Sequence, residues 1–265
     1  MKKHIIIGKP INHSLSPKLH EFWFKQHNIN AEYIKLEPNE NELENILNKI
    51  KTNEIFGMNV TVPFKQSVLK FLDDKSDIVK QTNSVNTIYN KNGIIFGDNT
   101  DVYGFKQSLI KHRINLKKKT VMILGAGGVV PSLVCALLDM KVNKIFISNR
   151  TEEKAKSLSQ NYPNVEVIQW GKLENFDMYI NATSLGLKDT DKIEFNYKKL
   201  NEKKIFYDII YNPLKTNFLK EAEKLNHLIL NGRDMFLYQG QKAFNLWHNI
   251  MPKVDDELLR YLYND

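Results

Sequence analysis

The sequence predicts an α/β protein of two domains, an N-terminal α/β domain followed by a C-terminal Rossmann-type, doubly wound domain. Three observations predict it. Short β-branched runs alternate with amphipathic helical segments from one end of the chain to the other, the pattern of a largely parallel sheet. The length, 265 residues, exceeds the roughly 100–200 residues of a typical single domain. A glycine-rich turn, Gly125-Ala-Gly-Gly128, follows a strand-like run and opens a helical one.

Taken in order, the runs at 5–7, 33–36, 60–62, 121–124, 145–147, 179–180, 205–207 and 228–230 read as strands. Leu43, Ile46, Leu47 and Ile50 share one helical face by their i, i+3, i+4, i+7 spacing. Ser16 before Pro17 reads as an N-cap hydroxyl ahead of a first-turn proline. Segments 102–110 and 129–140 read as helices, as do 235–250 and, after Pro252, 254–263. The polar run Arg113 to Thr120 lies between a helix and the most buried-looking strand, which places a boundary near residue 115. The expected domains are 1–114 and 115–234, with the helices of 235–265 packing back on the first.

Apolar residues make up 42% and aromatics 11% of the chain, enough for a substantial core and too many for a disordered one. The net charge of +8 comes from 38 Lys and Arg against 30 Asp and Glu. Only four of the 38 are Arg, and the lysines are scattered along helical faces, as at Lys49, Lys51, Lys70, Lys80 and Lys220. That is a solvated basic surface rather than a phosphate-reading one, so nucleic acid is not an expected partner. The single cysteine, Cys135, has no internal partner and sits among apolar residues, as a structural thiol in a reducing cytoplasm would. The N-terminal Met-Lys-Lys-His-Ile-Ile-Ile-Gly has too short an apolar run for a signal peptide, and no run of about 18 apolar residues predicts a membrane span.

The turn at 125–128 has the context its chemistry requires. Glycines let the backbone N–H groups approach a pyrophosphate, which then sits at the positive end of the following helix. Val130 occupies the third small position of the pattern, and Pro131 is tolerated in a first helical turn. A carboxylate some 20 residues on would select the free ribose of NAD. Here Asn149-Arg150-Thr151 follows the strand instead, and a guanidinium beside two hydrogen-bonding side chains favours the 2′-phosphate of NADP.

The first half carries polar residues where plain structural strands would not. Ser14 and Ser16 follow the first strand, Asn59 and Thr61 interrupt the third, Lys65 follows Pro63, and Asn86 and Asp101 come later. Hydroxyls and amides with one lysine and one carboxylate suit a polyhydroxylated carboxylic acid. Singly each has a plainer reading: edge-strand polar positions for Asn59 and Thr61, a turn for Asn86, a helix N-cap for Asp101. The seven histidines show no paired metal spacing and no cysteine partner, so no metal is expected.

Jointly these residues resemble the shikimate dehydrogenases. Gly8-Lys-Pro-Ile-Asn-His-Ser-Leu-Ser-Pro-Lys-Leu-His20 is similar to the family's opening substrate motif, Asn59-Val-Thr-Val-Pro-Phe-Lys65 to its catalytic motif, and Val85-Asn-Thr-Ile88 and Asn99-Thr-Asp101 to the next two. Asn181-Ala-Thr-Ser-Leu-Gly186, Asp208-Ile-Ile-Tyr-Asn-Pro213 and Gln239 ahead of Ala243-Phe-Asn-Leu-Trp247 continue the resemblance to the end of the chain. It implies that Ser14, Ser16 and Tyr211 hold a substrate carboxylate, that Asn59, Thr61, Asn86, Asp101 and Gln239 hold ring hydroxyls, and that Lys65 and Asp101 are catalytic. For NADP it implies Gly125, Ala126, Gly127, Gly128 and Val129 at the pyrophosphate, and Asn149, Arg150, Thr151 and Lys154 at the 2′-phosphate. Ile209, Gly232, Asp77 and Met235 would lie near the nicotinamide. The implied reaction is hydride transfer between NADP and C3 of shikimate, in aromatic amino-acid biosynthesis by way of chorismate, performed by a cytoplasmic monomer or homodimer. The chain departs from the family in having Asn83-Ser84 for Gly-Ala, Val129 and Val130 for alanines, and the polar Arg233-Asp234 after Gly232.

Overall fold

The computed structural model describes residues 1–263 with the exception of 173, 174, 195 and 201. The chain divides into two compact units, Met1–Gly104 with Leu237–Asp265, and Phe105–Phe236.

The first unit holds a six-stranded sheet of β1 (Lys2–Ile7), β2 (Ala31–Leu36), β3 (Gly57–Val60), β4 (Asp74–Lys75), β5 (Thr87–Lys91) and β6 (Ile94–Asp98). Its order is β2-β1-β3-β5-β6-β4. The parallel arrangement read from the sequence holds for β1 with β2 and β3, but β5 runs antiparallel to both β3 and β6. Between β5 and β6 the reason is the two-residue connection Asn92-Gly93, with both residues at positive φ (55° and 88°), the backbone of a hairpin turn. The third strand covers 57–60 rather than 60–62. Thr61 still donates its N–H to the Ile7 carbonyl, but Pro63 has no N–H to continue the ladder, and Phe64 turns back onto the Thr61 carbonyl.

Helices α1 (Ser16–Gln26), α2 (Leu43–Lys51), α3 (Asp77–Thr82) and α4 (Asp101–Lys111) follow the expected segments apart from α3. Ser16 is not the N-cap of α1 but its first residue; its N–H donates to Ser14 Oγ at 3.2 Å, so Ser14 serves the end of the helix. In α2, Leu43, Leu47 and Ile50 are buried as their spacing requires. Asn83 ends α3 in the left-handed region (φ 46°), a conformation asparagine tolerates, which accommodates the departure from glycine there.

The second unit is built on β7 (Thr120–Leu124), β8 (Lys144–Ser148), β9 (Val165–Val167), β10 (Met178–Asn181), β11 (Ile205–Asp208) and β12 (Leu228–Leu230). Every pairing in it is parallel and the order is β12-β11-β10-β7-β8-β9. Helices α5 (Val130–Asp139), α6 (Glu152–Ser159) and α7 (Asn217–Lys224) connect the strands. The order reverses between β7 and β10, the switch point at which doubly wound sheets bind ligands beyond the carboxyl ends of their strands.

The last two helices are α8 (Arg233–His248) and α9 (Asp256–Tyr263). The division between units falls inside α4 and α8 rather than in the polar run after residue 113. Phe105 packs edge-on against Tyr207 at 5.0 Å and Ser108 Oγ lies 2.9 Å from the Tyr207 hydroxyl, so the chain joins the second core while still helical.

In the first unit the last helices complete a cluster of rings. His20 lies parallel to Tyr33 (4.8 Å, 4°), and His4 is 4.8 Å from Phe24, 5.1 Å from Trp247 and 5.0 Å from His248. Burial pushes His4 down to about 3 and His248 down to about 4, with their mutual repulsion adding to the shift in His4. Burial likewise holds His20 well below the usual imidazole range. Among the described residues no helix is long and apolar enough to cross a membrane, and no group of three or more His, Cys, Asp or Glu side chains is placed to hold a metal.

Candidate active site

Lys65 follows the turn after β3, and Asp101 is the first residue of α4. Each is buried, 7% and 6% exposed, and Lys65 Nζ lies 2.5 Å from Asp101 Oδ2. Asp101 does not cap its own helix: its N–H donates to Asn99 Oδ1 (3.1 Å), which frees the carboxylate to face the lysine. The other carboxylate oxygen, Oδ1, accepts from Asn86 Nδ2 at 2.8 Å. Asn86 is fixed in turn, since its Oδ1 accepts from the Thr100 N–H (2.7 Å) and from Thr87 Oγ1 (3.0 Å). A lysine and a carboxylate buried together, with the carboxylate oriented by an amide, form a unit that can hold and deliver one proton.

Asn59, on β3, closes the same network. Its Nδ2 donates to the Asn86 carbonyl (3.0 Å) and to Thr87 Oγ1 (3.2 Å), and its Oδ1 accepts from the Tyr33 hydroxyl (2.7 Å). Both amide hydrogens are therefore spent on the protein, which leaves Asn59 only an acceptor lone pair for a ligand. Ser14 and Ser16 lie together, their hydroxyls 3.2 Å apart and both buried. Thr61 is half-buried directly after β3, Gln239 is half-buried on α8, and Asp77 is exposed at the start of α3, 3.2 Å from Lys80 Nζ. Sequence reasoning gave Asn99, Thr100 and Thr87 no role although it quoted their motifs. It passed over Tyr33 altogether, because alternation along β2 marks the residue only as inward-facing.

In the second unit Gly125 follows β7 at φ +112°, and a Cβ there would meet the Ala182 carbonyl oxygen at 2.8 Å. The turn thus lies against the chain leaving β10, at the switch point. Gly127 is a different case. Its φ is ordinary and a Cβ would meet nothing within 4 Å, so neither backbone nor packing asks for glycine; open space beside the turn is what a pyrophosphate would fill. No side chain caps α5; the Val130 and Ser132 N–H groups turn back onto the Gly127 and Val129 carbonyls. Val130 is fully buried at its start, so the larger residue is absorbed by the core.

Asn149 braces the turn, accepting from the Ala126 N–H (3.1 Å) and donating to the Thr151 carbonyl (2.7 Å). Arg150 between them is exposed, as are Thr151 and, on α6, Lys154. These residues fit a nucleotide carrying an additional phosphate at the end of β8. Tyr211 stacks on Phe236 (4.4 Å, 15°), and Met235 is buried beside it in sequence. Gly232 lies against the residues after β11: its N–H donates to the Ile210 carbonyl (3.0 Å), and a Cβ would stand 2.0 Å from the Ile209 carbonyl oxygen. Asp208, at the end of β11, accepts from Thr216 Oγ1 (2.6 Å), Asn181 Nδ2 (3.0 Å) and the Ile210 N–H (3.0 Å). Burial outweighs those bonds and pushes its carboxyl up to about 6. The polar Arg233-Asp234 is also explained. Asp234 is buried and receives Lys111 Nζ (2.9 Å) and His112 Nε2 (2.7 Å); burial alone would raise its carboxyl, but these partners hold it below the usual range.

A glycine turn and uncapped helix at the switch point of a doubly wound sheet, in one chain with a buried lysine–carboxylate pair, define a dinucleotide-dependent oxidoreductase. Residues 6–88 match the shikimate dehydrogenase substrate binding domain, and residues 108–210 match the family described as shikimate / quinate 5-dehydrogenase. The NADP(+) shikimate dehydrogenase of Pelagibacter ubique is 50% identical over 261 residues, 98% of each chain. The crystal structure of shikimate dehydrogenase from Aquifex aeolicus is 34% identical with a TM-score of 0.90, covering 99% of this chain and 98% of that one. The Thermus thermophilus enzyme, solved in complex with NADP(H) and shikimate, is 28% identical with a TM-score of 0.90, over 100% of this chain and 99% of that one. The chain belongs to the shikimate dehydrogenase family.

Proposed function

We propose that the protein is an NADP-dependent shikimate dehydrogenase that interconverts 3-dehydroshikimate and shikimate, a step of aromatic amino-acid biosynthesis, in the cytoplasm, as a monomer or homodimer. The observation that carries this reading is the buried Lys65–Asp101 pair oriented by Asn86. NADPH bound at the second unit supplies the hydride for ketone reduction. As the C3 carbonyl becomes an alcohol, the Lys65 ammonium donates the proton that its oxygen must gain; in the reverse direction neutral Lys65 removes it. Asp101 steers the ammonium and compensates its charge. Ser14, Ser16 and Tyr211 take the substrate carboxylate. Thr61, Asn86, Asp101 and Gln239 take the ring hydroxyls, with Asn59 contributing its remaining lone pair.

Residues 1–104 with 237–265 then form the substrate unit and 105–236 the cofactor unit. Gly125, Ala126, Gly127, Gly128 and Val129 hold the pyrophosphate, and Asn149, Arg150, Thr151 and Lys154 the 2′-phosphate. Ile209, Gly232, Met235 and Asp77 border the nicotinamide. The test is the rate with shikimate and with quinate, each with NADP and with NAD. Shikimate with NADP is expected to give the highest kcat/KM, and a preference for quinate with NAD would overturn the reading. A charge-assisted contact from Arg150 to the 2′-phosphate is worth about 1.5–3 kcal/mol, so Arg150→Ala is expected to lower kcat/KM for NADP by about 10- to 100-fold with little change for NAD. Equal loss with both cofactors would remove Arg150 from the phosphate site.

A further inference from the structure

We propose that Tyr33 is a positioning residue for the Lys65–Asp101 pair, acting through Asn59 and Asn86. The inference rests on the shikimate dehydrogenase reading and adds a residue to its machinery.

Tyr33 is buried on β2, and its hydroxyl donates to Asn59 Oδ1 at 2.7 Å. An amide can be turned end for end, so what fixes this one has to be stated. If Asn59 were reversed, its oxygen would face the Asn86 carbonyl oxygen, now 3.0 Å from Nδ2, and two acceptors would oppose each other. The Asn86 carbonyl therefore sets the direction of the amide, and Tyr33 must be the donor to its oxygen. With Oδ1 held by the phenol, Nδ2 also donates to Thr87 Oγ1 (3.2 Å), and the Thr87 hydroxyl hydrogen has Asn86 Oδ1 (3.0 Å) as its nearer acceptor, ahead of Thr100 Oγ1 (3.3 Å). Asn86 Oδ1, which also accepts from the Thr100 N–H (2.7 Å), is thereby held from two sides, Asn86 Nδ2 is directed at Asp101 Oδ1 (2.8 Å), and Asp101 Oδ2 meets Lys65. The bonds run donor to acceptor in series from Tyr33 to Asp101, the arrangement in which buried hydrogen bonds reinforce one another.

The ring of Tyr33 is held separately. It lies parallel to His20 at 4.8 Å and 4°. The packing that a phenylalanine could supply is thus distinct from the hydroxyl that feeds the network, and Tyr33→Phe separates the two. A tyrosine serving only the core would be replaced at no cost to turnover.

The test is steady-state kinetics of Tyr33→Phe with shikimate and NADP. Loss of one buried hydrogen bond, leaving Asn59 Oδ1 unpaired, is expected to lower kcat about three- to thirty-fold. The KM values for shikimate and NADP should stay within about twofold, because the carboxylate and nucleotide contacts are untouched. In an Asn86→Ala background the same substitution should cost less than about twofold, since the link through which it acts is already cut. Parental turnover in Tyr33→Phe, a change confined to KM, or an undiminished loss in the Asn86→Ala background would each overturn the proposal. If Tyr33→Phe does not yield folded protein, Thr87→Val interrupts the same series one bond further on and must show the same fall in kcat; parental turnover there overturns it equally. A parent enzyme that fails to reduce NADP with shikimate would instead remove the functional reading itself, and that result is visible before any variant is made.

Discussion

Lys65→Met is expected to lower kcat by about 10²–10⁴, the usual contribution of a positioned general acid or base, while weakening shikimate binding far less. Methionine keeps an unbranched stem of similar length and removes the only proton-carrying group in contact with Asp101 Oδ2 among the described hydrogen bonds. In the proposed site Ser14, Ser16, Thr61 and Gln239 remain to hold the acid and its ring, so the loss should fall on the transition state. The variant leaves a buried carboxylate without its counter-charge, which lowers stability. Asn86 Nδ2 still donates to it, and a thermal melt run alongside the kinetics separates unfolding from loss of chemistry. Unchanged turnover with lost shikimate affinity would make Lys65 a binding residue and send the search for the proton donor elsewhere.

The second large effect is on stability in mild acid. His4 and His20 are fully buried, and burial holds both imidazoles below the ordinary value near 6.5. A base with a depressed folded pKa contributes stability that is fully present above about pH 6.5 and is lost as the pH falls, because the unfolded chain takes up the proton first. For His4 that window runs from 6.5 down to about 3. At pH 5 His4 has cost about 2 kcal/mol relative to neutral pH, and His20, held low by burial, adds to the loss in the same direction. Asp208 acts in the opposite sense. Its carboxyl, raised to about 6, binds its proton more readily when folded and so destabilises the protein as pH rises through that value. Acidification from pH 7 to 5 therefore returns about 1–2 kcal/mol through Asp208. The net expectation is a lower urea midpoint at pH 5 than at pH 7, with a steeper fall in Asp208→Asn. A midpoint that holds or rises at pH 5 would contradict the assignment of neutral, buried imidazoles.

What the sequence made legible follows from which interactions are local. The turn at 125–128 was readable because strand, glycines and helix are contiguous, and the hydrophobic spacing of α2 because one helix face repeats within ten residues. The parallel reading of the first sheet went wrong at β5 although Asn92-Gly93 is a strong hairpin signal between Ile88 and Ile95; the β-branched runs dominated the reading. Asp101 read locally as a helix cap, and only its distance to Lys65, 36 residues away, shows the carboxylate turned elsewhere. Tyr33 was invisible for the same reason: its partner Asn59 is 26 residues distant, and a buried strand tyrosine carries no mark of the bond it makes. The family motifs marked candidate residues that single-residue reading left with plainer roles, but they did not reveal that Asn59 has spent both of its amide hydrogens.

The discontinuity of the first unit fixes an order of assembly. The second unit is one uninterrupted segment, finished once residue 236 has left the ribosome. The other unit begins earlier yet borrows Phe244, Trp247, Leu258 and Leu262, all buried, from the final stretch of the chain. During synthesis the polypeptide emerging first therefore has to wait, with His4, Trp23 and Phe24 still lacking the rings that cover them, while the later-emerging sheet can already close. Vectorial synthesis and domain completion run in opposite directions in this protein, and the interior that Phe244, Trp247, Leu258 and Leu262 complete is the last to be sealed.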